Sequence, residues 1–103
     1  MPQKYNKAIR DKIPEIIIKN GKKCKIVSLS DTEFLIEMER KLSEELNEYL
    51  ESKSENELAD IIEVVHRIAE LRGIPQTELE KIRRAKIIER GAFSKNYFLI
   101  DIS

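Results

Sequence analysis

The stretch SDTEFLIEMERKLSEELNEYLESKSENELADIIEVVHRIAELRG, residues 30–73, decides the fold. Ser30 and Glu33 stand at capping-box spacing. Beyond them Leu35, Met38, Leu42, Leu46 and Tyr49 recur every three or four residues, the stripe of an amphipathic helix reaching about Glu51. Ser54 and Glu57 repeat the box, and Leu58, Ile61, Ile62, Val65, Ile68 and Ala69 give a second helix to about Arg72, ended by Gly73 and Pro75. Only Ser52-Lys53-Ser54 separates the two, so they are expected as antiparallel neighbours, a helical hairpin.

Outward from the hairpin, Thr77 boxed with Glu80 opens a third helix that Gly91 stops after Arg90. On the other side, Pro14 and Glu15 open a short helix closed by Asn20-Gly21. Lys23–Leu29 and Tyr97–Ile102 are rich enough in β-branched and aromatic residues to be expected as strands, paired with one another. The expected fold is mainly α: a hairpin plus a third helix, with a small β element joining the terminal segments. Apolar flanks including Val64 and Ile87 would stay uncovered, so a second copy is expected to complete the bundle as a homodimer or homotetramer.

The chain has 103 residues, enough for one domain, residues 1–103. Nineteen Lys and Arg balance 19 Asp and Glu, so no overall field favours a nucleic-acid polymer or an acidic membrane. No long apolar run or signal peptide is apparent, and the chain reads as soluble and cytoplasmic. Cys24 and His66 are the only residues of their types, which excludes internal disulfides, zinc-thiolate clusters and two-histidine metal sites. Cys24 reads as a small, half-buried structural side chain. Any metal must be held by carboxylates.

The hairpin offers them. At about 100° per residue, Glu45 and Glu48 lie roughly 60° and 120° to one side of the first stripe, with Glu44 pointing nearly away. Glu57 and Asp60 lie roughly 70° and 130° off the second stripe in the same sense, with Glu63 pointing away. The two-fold relation of antiparallel helices preserves handedness, so all four flanking acids emerge on one face. Level residues in such a hairpin share a constant summed number, which sets Glu48 opposite Glu57 and Glu45 opposite Asp60. Four converging charges repel one another, and a hard divalent cation removes that cost. Local roles account for some of these acids as well: Glu57 as the third residue of a capping box, Glu45 as the partner of Lys41, and Glu48 as a solvated flank.

Glu44-Glu45-Leu46-Asn47-Glu48 followed by Glu57-Leu58-Ala59-Asp60 resembles the paired acid motifs of the all-α nucleoside triphosphate pyrophosphohydrolases. This is the MazG-like group that includes phosphoribosyl-ATP pyrophosphohydrolase. The run Tyr5-Asn6-Lys7-Ala8-Ile9-Arg10-Asp11-Lys12-Ile13-Pro14 is similar to the start of its small stand-alone branch, and the likeness continues to Arg90-Gly91-Ala92-Phe93. The resemblance implies that Glu45, Glu48, Glu57 and Asp60 ligate Mg²⁺, with Mn²⁺ a substitute and Glu44 a further participant. It also implies cleavage of a nucleotide between its α and β phosphates into monophosphate and pyrophosphate. Arg83, Lys86 and Arg90 form one basic stripe on the third helix in line with Leu79, a candidate phosphate clamp, and Arg10 and Lys12 are the alternative. A non-enzymatic helical interaction module would use the same amphipathic stripes without metal.

Overall fold

Ser30 starts the longest helix by the mechanism its spacing predicts. In a computed structural model, which describes residues 3–103, the Ser30 hydroxyl accepts the Glu33 amide at 3.2 Å, and the Glu33 carboxylate accepts the Ser30 amide in return. Four helices follow in chain order: α1 Ile13–Lys19, α2 Asp31–Ser52, α3 Glu55–Leu71 and α4 Gln76–Arg90. Pro14 in the first turn of α1 costs nothing, because the amide it lacks would have had no partner there.

The turn between α2 and α3 is very short. Lys53, left-handed at φ 59°, closes α2 with its amide on the Tyr49 carbonyl at 2.7 Å, and Ser54 is already the N-cap of α3. The second capping box does not form: the Ser54 hydroxyl accepts from the Asn56 amide, and the Glu57 side chain turns elsewhere. At its other end α3 closes in a Schellman motif, with Gly73 bonded to Glu70 at 2.9 Å and Ile74 to Ala69 at 2.8 Å. Gly73, at φ 81°, supplies the left-handed residue that the motif requires. Helix α4 begins at Gln76 behind Pro75 and has no side-chain cap, so Thr77 is its second residue and not the start of a box.

The core lies along the α2–α3 seam. Met38 and Val64 are buried together with Ala8 of the amino-terminal segment, and Phe34, Leu42, Ile68 and Leu71 pack around them. Val64 is therefore no exposed flank: at 5% accessibility it is among the most enclosed residues, because Ala8 and Met38 cover it. Ile87 is exposed as expected. Helix α4 packs only on α3.

No strand forms among the described residues, so the expected β element is absent. Both Lys23–Leu29 and Tyr97–Ile102 are exposed and without regular structure. β-composition provides residues that suit a ladder, but a strand needs a neighbour to receive its amides, and neither segment meets one within the chain. Cys24 is exposed with its segment and not half-buried. No helix of the described residues is long and apolar enough to cross a membrane.

The single chain stays open. Its radius of gyration is 18.1 Å, against about 13 Å for a compact domain of this length. Its accessible surface is 9686 Å², against roughly 6,000 Å² for a folded monomer of this mass. Ile36, Leu46 and Leu50 on α2 and Leu58 and Ile62 on α3 are all about half exposed, apolar surface that nothing among the described residues covers.

Candidate metal centre

Glu45 is the one buried charged residue among the described residues, 5% exposed on the inner face of α2. Its Oε2 and the Oε2 of Glu57 are both buried without a hydrogen-bond partner. A carboxylate oxygen shut away from water and left unpaired is costly, so it must gain a proton or a cation. Lys41, one turn earlier, meets only the other side of Glu45, at 3.6 Å from Oε1.

Around Glu45 the acids divide into two sets. Glu45, Glu57 and Asp60 bring one carboxylate oxygen each to within 4.8 Å of one another, and Glu44, Glu45 and Glu48 do the same. Glu45 belongs to both. Glu48 is exposed on the outer side. Glu44, expected to point away, instead joins Glu45 and Glu48 and faces the amino-terminal segment, where Lys7 lies 3.9 Å from it. Helical angle locates a Cα, whereas a Glu side chain has enough torsions to swing toward a neighbouring cation. Glu63 is exposed, in keeping with an angle that points it away from the stripe.

The electrostatics follow from this crowding. Glu45 is pushed up from 4.5 to about 7, chiefly by burial, then by the adjoining Glu57 carboxyl and the charges of Glu48 and Asp60, with Lys41 pulling the other way. This set fits a hard cation. It offers oxygen donors only, from two helices, and two of its oxygens, Oε2 of Glu45 and of Glu57, are buried without a partner.

The amino-terminal segment lies across this face. Ala8 holds it to the core, and Arg10 reaches Asp60, Nη2 to Oδ1 at 2.6 Å. An open cleft of about 320 Å³ lies between this segment and α2, with Tyr5, Lys7, Arg40 and Lys41 in its wall. Sequence reasoning passed over Ala8 and the Arg10–Asp60 pair. The segment has no periodicity to place it, and its partners are some fifty residues away.

The cations of α4 are arranged otherwise than a clamp leaning on the interior requires. Arg83, Lys86 and Arg90 are all exposed. Arg83 bonds Glu80 through Nε at 2.9 Å and Nη2 at 2.5 Å, and Arg84 shares the same carboxylate at 3.1 Å. Together they hold Glu80 down at about 2. Arg90 lies 3.9 Å from Glu89. Because α4 packs only on α3, this stripe does not meet the acids of α2. Lys12 is exposed at the start of α1.

No family model matches the chain, and no curated protein or solved structure matches it.

Proposed function

We propose that the chain is a Mg²⁺-dependent nucleotide pyrophosphohydrolase of the MazG-like kind. It would cleave a nucleoside triphosphate, or a nucleotide resembling phosphoribosyl-ATP, to monophosphate and pyrophosphate, and so clear unwanted nucleotides. The observation that carries this reading is the buried Glu45 carboxylate, its Oε2 without a partner, shared between two acid sets. Glu45, Glu57 and Asp60 hold the ion, and Glu48 completes the set from the outer side. Bound there, Mg²⁺ supplies Lewis-acid polarisation of phosphate oxygens.

The chain's own residues do the rest. Phosphoanhydride hydrolysis asks chiefly for positioning and neutralisation of charge. Lys7, Arg40 and Lys41 in the cleft and Arg10 beside Asp60 provide cations next to the acids. The exposed ring of Tyr5 offers a flat apolar surface to a base. A carboxylate left outside the ligand set accepts the proton of the attacking water.

Association belongs to the same reading. The surplus of surface over a compact monomer, together with the bare face of Leu46, Leu50, Leu58 and Ile62, suits burial against a second copy as a homodimer or homotetramer. That apolar face equally suits a helical interaction module, which differs in predicting no effect of metal.

The deciding experiment is a panel of nucleoside triphosphates and phosphoribosyl-ATP assayed for pyrophosphate release with Mg²⁺, alongside melting curves. Mg²⁺ or Mn²⁺ should raise the melting temperature by mass action on the folded state. Asp60→Asn should abolish both the rise and turnover, and Glu63→Gln should leave both intact. Equal effects of the two substitutions would refute the site.

A further inference from the structure

Arg10 combines a fixed backbone with a free side chain. Two residues before it Ala8 is buried between the two long helices, and the Arg10 carbonyl accepts the Ile13 amide at 3.1 Å at the start of α1. The side chain itself is 56% exposed and makes a single charged contact, with Asp60 Oδ1 at 2.6 Å. Asp60 also belongs with Glu57 and Glu45 to the set whose carboxylate oxygens lie within 4.8 Å of one another, and Oε2 of Glu45 has no partner there. One carboxylate thus belongs both to an exposed ion pair and to the proposed ligand set. It cannot serve both fully, because an aspartate drawn to a divalent cation loses most of its attraction for a guanidinium.

We infer, resting on the metal reading above, that Arg10 is an exchangeable counter-cation. Asp60 gives up the guanidinium on taking a divalent cation, and the freed Arg10 binds a phosphate of the substrate beside it. Exchange is easy because exposed pairs are weak, worth about two- to fivefold in an equilibrium constant. The forked donors suit a phosphate as well as they suit Asp60. The consequence is a built-in order. In the metal-free protein Arg10 is spent on Asp60, so an anionic nucleotide meets its cation only at a site that is loaded. Metal and phosphate then strengthen one another's binding through one side chain, and the coupling is reciprocal.

Isothermal titration tests this, first with Mn²⁺ alone and then with a preformed Mn²⁺–pyrophosphate complex, on wild type, Arg10→Gln, Arg10→Lys and Lys4→Gln. Arg10→Gln should bind Mn²⁺ alone about two- to fivefold more tightly, having lost a competitor, yet bind the complex at least tenfold more weakly. Arg10→Lys keeps the charge and should stay within about twofold of wild type for Mn²⁺ while losing most of the affinity for the complex. Lys4→Gln removes an equal charge from the same segment, at an exposed residue outside the cleft wall, and should leave both constants within about twofold of wild type. Opposed shifts confined to Arg10 establish the exchange. If Arg10→Gln moves both constants the same way or neither, or if Lys4→Gln reproduces its pattern, the exchange is overturned while the metal site stands. Failure of the wild type to bind Mn²⁺ overturns both.

Discussion

Glu45→Gln should stabilise the metal-free protein, against the usual outcome for a substitution at a buried polar residue. The Glu45 carboxyl goes from an ordinary 4.5 to about 7 on folding, mainly through burial and then through the adjoining Glu57 carboxyl. At 1.36 kcal/mol per pH unit, holding it ionised in the folded state costs about 3 kcal/mol. Below pH 4.5 both folded and unfolded chains carry the proton and the residue contributes nothing. Between pH 4.5 and 7 the folded chain retains a proton that the unfolded chain has released, so stability falls as pH rises, and above 7 the full cost applies. Glutamine keeps the shape and is neutral throughout. In a chelator at pH 8, Glu45→Gln should therefore unfold in urea with a free energy about 1 to 3 kcal/mol above wild type, the lower figure allowing for an amide that must still find partners. At pH 4 the two proteins should agree within about 1 kcal/mol. Saturating Mg²⁺ should reverse the order at pH 8, because only the wild type gains a ligand's stabilisation. A variant less stable than wild type in chelator at pH 8, or a difference equal at both pH values, would refute the assignment of the cost to an ionised Glu45.

Two other outcomes follow from the surface. Light scattering at micromolar concentration should report a dimer or larger, and Leu46→Glu with Ile62→Glu should reduce it to monomer; an associated double variant would place the interface elsewhere. If α4 completes a phosphate site in the assembled protein, Lys86→Ala or Arg90→Ala should cut kcat/KM at least tenfold, about 1.4 kcal/mol of transition-state stabilisation. Arg84→Ala, which gives up only a share of Glu80, should leave it near wild type, and equal losses at Lys86 and Arg84 would dismiss the clamp.

Local chemistry was legible in the sequence, and meetings between distant segments were not. The Ser30–Glu33 box involves residues three apart, so its spacing sufficed. The Ser54 box had equal spacing and failed, because the Glu57 carboxyl lies inward beside Glu45 instead of returning to its own cap. Helical angle brought Glu45, Glu57 and Asp60 to a common side, but it misjudged Glu44, which faces a segment whose path no periodicity reveals. Val64 was misjudged for the same reason, since its cover includes Ala8, far away along the chain. The two β-rich segments carry strand composition without a partner in the chain, and composition alone cannot supply one.

The turn at Lys53 and Ser54 acts as a gauge block for the acid face. With Lys53 closing one helix and Ser54 opening the next, the turn has no slack in which to lose an added residue. Each residue inserted into or removed from the start of α3 slides that helix by about 1.5 Å and rotates it by about 100°, enough to carry Glu57 and Asp60 away from Glu45 while leaving every side chain of the cluster in the sequence. The length of this turn is thus as much a part of the site as the carboxylates are, and a chain with all four acids but one more residue between the helices would keep the motif and lose the cluster.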